Sequence, residues 1–126
     1  MEQYTIDCTP EQTCKALELG APIHSKDYEG GIITINHRWF RINNKCYRCP
    51  TAEQMRGWLM EKLKATTFSP RYYHFAEGYG YLIICAECVL ERDFTDNVRY
   101  LLNSDKEATL AAIDAALDYL IQMKGE

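Results

Sequence analysis

The chain has 126 residues, 47% of them hydrophobic, 12% aromatic and 25% charged, with a formal net charge of −4. That length suits one domain, residues 1–126, with a core of its own; the apolar and aromatic content excludes a disordered chain, and no apolar run is long enough for a membrane helix. The charge is uneven: residues 1–29 carry a net −4, residues 30–76 a net +6 and residues 77–126 a net −6, so the basic middle marks a partner patch, internal complementarity or a solvated face.

The start, Met1 to Asp7, has neither a basic n-region nor an apolar h-region. The expectation is therefore no secretory signal, a cytoplasmic location and reduced cysteines. Thr9-Pro10-Glu11-Gln12 is a compact helix start, in which Thr9 caps, Pro10 takes the first helical position and Gln12 closes a capping box. Gly20 and Pro22 end that helix. Its apolar stripe is thin, chiefly Cys14 and Leu17, with Cys14 read as a small core residue.

Gly30-Gly31 opens a strand region in which Ile32, Ile33, Ile35, Trp39, Phe40 and Ile42 favour β structure. Asn43-Asn44-Lys45 supplies turn chemistry, giving two or three antiparallel strands across 31–48. A second helix, 52–64, starts with Thr51-Ala-Glu-Gln54 and puts Ala52, Met55, Leu59 and Leu63 on one face with Trp58 on its flank. Ser69-Pro70 is expected to break the chain before a strand at 71–77. Gly78-Tyr79-Gly80 reads as a hairpin turn, and Tyr81 to Cys85 as a central apolar strand.

A further short strand is expected at Val98 to Leu102. The last helix opens on a capping box, Ser104 to Glu107, and carries a stripe of Leu110, Ile113, Leu117, Leu120 and Ile121. The predicted fold class is α+β: an antiparallel sheet with helices packed mainly on one face, in the order α-ββ-α-ββ-α. The two units of a Thr-x-Glu-Gln helix followed by strands look like a weak repeat, which capping grammar alone also produces.

Four sets of residues carry candidate chemistry. Cys46, Cys49, Cys85 and Cys88 form two Cys-x-x-Cys pairs with 35 residues between them, the ligand grammar of a structural zinc site. Against it, Cys85 and Cys88 continue an apolar strand without turn residues, and an extended strand would aim them at opposite faces. Ordinary core or surface thiols are the competing reading. A thiol-disulfide oxidoreductase built on Cys46 and Cys49 has a helix behind the pair but no βαβ frame. Basic and aromatic residues interleave at Arg38, Arg41, Arg48, Arg71 and Tyr72, as phosphate contacts and base stacking would require of a nucleic-acid surface. The same residues suit a protein partner. Finally, Ala108, Ala112, Ala115 and Tyr119 line the far side of the last helix, which is either sandwiched in the domain or a homodimer surface. Asp114 and Asp118, four apart, have the spacing of paired carboxylates and equally of a solvated edge.

Residues 46 to 122 resemble a group of small proteins from prophage-like and mobile-element regions of gut anaerobic bacteria. The resemblance rests on Pro50-Thr51-x-x-Gln54…Trp58-Leu59-x-Glu61 and on the helix from Asp105-Lys-Glu-Ala108 through Ala115-Ala-Leu117 to Tyr119-Leu-Ile121. It implies a small intracellular α+β protein, and supplies no catalytic residues. With no phosphate-binding glycine loop, nucleophile elbow or HExxH motif, the sequence reading is a non-enzymatic cytoplasmic binding protein without a cofactor, acting on an unknown protein partner. The alternative is a zinc-stabilised module contacting nucleic acid through residues 30–76.

Overall fold

The computed structural model describes residues 6–27, 39–42, 44–74, 77–92 and 102–125. Helix α1 spans Pro10–Glu18. Thr9 Oγ1 accepts from the Gln12 amide and Gln12 Oε1 accepts from the Thr9 amide, both at 3.1 Å. Each bond occupies a backbone donor that a helix start leaves open. Helix α2 spans Ala52–Leu63 and repeats that box through Thr51 and Gln54, again with two bonds of 3.1 Å. It ends at Lys64, whose backbone is left-handed at φ 53°. Helix α3 spans Asp105–Lys124. Ser104 Oγ accepts from the Glu107 amide at 3.1 Å, but the Glu107 carboxylate accepts from Asn103 N–H at 2.9 Å, so the predicted box closes one residue early.

The fold is α+β, as the sequence predicts, and among the described residues it holds two three-stranded antiparallel sheets. The first contains β1 (Ser25–Asp27), β2 (Trp39–Ile42) and β3 (Lys45–Arg48) in the order β1-β3-β2. The second contains β4 (Thr67–Tyr73), β5 (Gly78–Ile84) and β6 (Val89–Arg92) in sequential order. Described elements thus run α-βββ-α-βββ-α. The helix-then-sheet units share their capping but not their topology, since β3 lies between its partners whereas β4-β5-β6 is a meander. The apparent repeat is therefore confined to the helix starts.

Several expectations shift in register. The predicted strand residues Ile32, Ile33 and Ile35, and Gly30-Gly31 before them, lie outside the described residues, as does most of the strand placed at 98–102. Leu102 alone of that strand is seen, bridged to Tyr79. Pro70 does not break the chain: it sits inside β4 opposite Tyr81. β4 is an edge strand, where a residue without an N–H is tolerated. Before β5, Glu77 N–H donates to the His74 carbonyl at 3.4 Å and Glu77 is left-handed at φ 50°, while Gly78 and Gly80 belong to the strand. Gly80 is required there because a Cβ would run into the Arg92 carbonyl. Tyr81 to Ile84 lies centrally, as predicted, but the strand stops at Ile84 and turns back through Cys85–Cys88, where Cys85 N–H donates to the Cys88 carbonyl at 2.8 Å.

Helix α3 organises the core. It packs against β4, β5 and β6 and also against α1 and α2. Ile83, Ile113 and Leu117 are fully buried beside Met55, Leu59 and Phe68. Ala108, Ala112 and Ala116 are also fully buried, so the alanine ridge is sandwiched within the chain. That corrects the self-association reading of Ala108 and Ala112; Ala115 and Tyr119 are half-buried. α1 runs in the same direction as α3, because Gln12 Nε2 donates to the Leu110 carbonyl at 2.9 Å and Lys124 Nζ to the Glu18 carbonyl at 2.7 Å. Its buried residues are Gln12, Thr13 and Ala16, while Cys14 and Leu17 are only half-buried. Among the described residues, no helix is long and apolar enough to cross a membrane.

Candidate functional site

The first sheet gathers part of the basic middle of the chain, Arg41 and Arg48, onto one face. Trp39 pairs with Arg48 and Arg41 with Cys46 across β2 and β3, while Lys26 pairs with Cys46 across β1 and β3. Directly opposed residues share a face and alternate residues return to it. Lys26, Trp39, Arg41, Cys46 and Arg48 therefore lie on the same side. His24 joins them: its carbonyl accepts from Arg48 N–H at 2.9 Å, which extends the ladder by one residue.

Side-chain contacts bear this out. Lys26 Nζ stands 4.4 Å from the centroid of the Trp39 ring, and His24 meets the same ring edge-on at 5.6 Å between centroids. A cation over an indole face is attracted by the ring quadrupole, so Lys26 and Trp39 hold each other in place. Cys46, at the centre of this face, is only 2% exposed. The opposite face carries Phe40 and Tyr47, whose rings lie 5.9 Å apart.

The cationic face opens onto a groove of about 300 Å³. One wall is the segment Ala21-Pro22-Ile23 that leaves α1, and the other is Pro50 with Gln54, Met55 and Trp58 of α2. His24 and Arg48 stand where the groove meets the sheet. The position follows from the local fold. Gly20 turns the chain in left-handed backbone at φ 84°, and Arg48-Cys49-Pro50 runs directly from β3 into the α2 cap. The result is an apolar cleft with a guanidinium and an imidazole at its mouth, which is the usual composition of a ligand site.

The four Cys-x-x-Cys thiols do not form one group: Cys49 lies near Cys8, and Cys85 near Cys88. Among the described residues, no group of three or more His, Cys, Asp or Glu side chains is placed to hold a metal ion. Cys46 and Cys49 are 2% and 1% exposed, closed off from any substrate. Burial pushes the Cys49 thiol up, against a hydrogen bond with Thr13 that pulls it down. Cys8 is pushed up to about 12, first by burial and then by Cys49 nearby. Cys85 and Cys88 do face each other, because the chain turns between them. Burial, reinforced by a hydrogen bond with Cys88, pushes Cys85 up to about 11. A hydrogen bond with Cys88 is also the main cause that raises Tyr119. Cys85 and Tyr119 line a second groove of about 250 Å³ together with Lys62 and Lys64.

Of the predicted binding residues, Arg41 and Arg48 share the cationic face, and Arg38 lies outside the described residues. Arg71 and Tyr72 are on β4 of the second sheet, where Tyr72 packs against His74 and Tyr79 at 4.7 and 4.8 Å between centroids. The basic and aromatic residues thus divide between two sheets. Asp114 and Asp118 are ion-pair partners of Lys15, at 3.8 and 2.8 Å, so α1 and α3 are cross-linked where the sequence suggested paired carboxylates.

His24, Lys26 and the walls of the groove were not legible as site residues. β1 is only three residues long and has no β-branched signal, and Ala21-Pro22-Ile23 reads as a helix stop. Trp58 on the flank of α2 was the one visible hint. No family model, curated protein or solved structure matches the chain.

Proposed function

We propose that this chain is a non-enzymatic cytoplasmic binding domain that engages an anionic partner through the face formed by His24, Lys26, Trp39, Arg41 and Arg48. The observation that carries the reading is the convergence of these side chains on one side of the first sheet, next to an apolar groove. Clustered cations on a rigid sheet steer a polyanion to its contact and favour it over neutral or basic competitors. The ordered Trp39 adds a flat apolar surface at little further entropic cost.

Other features agree with binding rather than catalysis. Cys8, Cys46 and Cys49 are buried, Cys85 stays protonated at neutral pH, and Asp114 and Asp118 are taken up by Lys15. Nucleic acid is the less favoured partner. Arg71 and Tyr72 lie on the other sheet, so the basic and aromatic residues form no single track, and the whole chain carries −4.

The test is anisotropy of fluorescein-labelled poly-L-glutamate titrated with the protein. Lys26→Glu combined with Arg48→Glu is expected to weaken binding by at least ~10-fold, and the remaining affinity to fall with salt. Arg71→Glu, on the second sheet, should leave it within about two-fold. Equal loss in both variants, or no loss in the first, would overturn the assignment.

A further inference from the structure

Resting on the reading above, we infer that the groove between the Ala21–Ile23 segment and α2 receives an apolar side chain of the partner, which is therefore an acidic peptide segment carrying a leucine-like anchor among its carboxylates. The inference starts from the two chemistries meeting at one edge. Inside, Pro22, Ile23, Met55 and Trp58 offer hydrocarbon and a single indole, with Gln54 on the rim. At the mouth stand Arg48 and His24, and further along the sheet Lys26 and Arg41 continue the positive charge.

A partner that uses both must place an apolar group and an anion a few ångströms apart, with further anions beyond. Burying the apolar group gives affinity roughly in proportion to the area removed from water, while the carboxylates fix direction and register. The groove volume, about 300 Å³, lies at the lower limit of small-molecule sites, ~300–1,000 Å³. It is ample for one apolar side chain. Outside it, Lys26 and Arg41 stand in one row across the sheet, both opposite Cys46, a second row beyond that of His24 and Arg48 for the carboxylates of an extended peptide to meet. A nucleic acid fits less well, because most of the groove lining is Ala21, Pro22, Ile23, Pro50 and Met55, on which bases do not stack, with Trp58 its single indole.

Arg48 belongs to both surfaces, since it pairs with Trp39 on the sheet and lines the groove.

The experiment uses the full chain and two short glutamate-rich peptides that are identical except for one central residue, leucine in one and alanine in the other. An oligo-dT strand of similar charge is the third probe. The leucine peptide is expected to bind about ten-fold more tightly than the alanine peptide. In Gln54→Trp, where the new ring fills the groove from its rim, the two peptides should bind alike, at the affinity of the alanine peptide for the wild type. Gln54 is exposed and Thr51 still caps α2 in the variant, and the comparison of two peptides on the wild type stands whether or not the variant folds. Equal affinity of both peptides for the wild type would overturn the groove inference while leaving the cationic face as the binding surface. Tighter binding of oligo-dT than of either peptide would overturn the peptide class in favour of nucleic acid. No measurable binding of any of the three would overturn the inference and the reading beneath it together.

Discussion

One kind of side chain, the thiol, occurs here in two physical settings. Cys8, Cys46 and Cys49 are 2%, 2% and 1% exposed, whereas Cys14, Cys85 and Cys88 retain part of their surface. Alkylation requires access as well as a thiolate. Iodoacetamide on the native protein should therefore modify Cys14 and Cys88 first, Cys85 more slowly because its thiol is held protonated, and leave Cys8, Cys46 and Cys49 until unfolding, as read by peptide mass mapping. Modification of Cys49 as fast as Cys14 would contradict the burial. Cys8 also gives a pH dependence of defined sign. Its pKa rises from 9.0 to about 12 on folding, so its stabilising contribution is complete below pH 9. That contribution is lost as pH climbs from there through about 12, because the unfolded chain releases the proton first. The folding equilibrium should weaken by up to roughly ten-fold per pH unit from this group, and Cys8→Ala should show a shallower alkaline slope in denaturant melts. The same residues show what spacing leaves undetermined. The sequence places four cysteines in ligand grammar, but the burial of Cys46 and Cys49 is set by contacts distant in the chain, and the turn at Cys85–Cys88 by a backbone bond that no Gly or Asn announces.

At the level of elements, helix starts were the most legible feature because their chemistry is local. Thr9 with Gln12 and Thr51 with Gln54 close boxes within four residues of sequence. Turns were less legible where they lack their usual residues. The β4–β5 turn places Glu77, not a glycine, in left-handed backbone, and the Cys85–Cys88 turn contains no positive φ at all. Neither Gly nor Asn is needed there, so nothing in the sequence marks the reversal. Gly78 and Gly80 misdirected the reading for the opposite reason: Gly80 answers a close approach of the Arg92 carbonyl rather than a turn. The alanine face of α3 is a packing requirement of the same type. Ala112 is 1% exposed where α3 is enclosed by other elements. Ala112→Leu should cost about 1–3 kcal/mol by overpacking, and Ala115→Leu, at a half-buried site, should cost less. Both are measurable by thermal or urea melts. An Ala112→Leu protein of unchanged stability but altered oligomeric mass would restore the ridge to the surface and contradict the packing.

Over the whole molecule, the charge pattern was visible in the sequence and its geometry was not. Residues 30–76 carry a net +6, but the fold divides that charge, sending Arg41 and Arg48 to one sheet and Arg71 to another. It then adds Lys26 from a three-residue strand and His24 just before it, both outside that window. Antiparallel pairing is what brings them together, because Lys26 and Arg41 both stand opposite Cys46. The groove is likewise a product of distant chain segments, with the exit of α1 meeting the start of α2. In the proposed binding mode this face and groove act as one surface. Its two tryptophans, Trp39 on the sheet and Trp58 in the groove, report on the two halves separately. The most direct measurement is a ¹H–¹⁵N spectrum of the protein during titration with the leucine-containing acidic peptide, following both indole N–H signals. The account predicts that both move together and saturate at the same peptide concentration, while the amides of Arg71 and Tyr72 stay in place. Saturating binding with both indole signals fixed, and shifts confined to the second sheet, would contradict it.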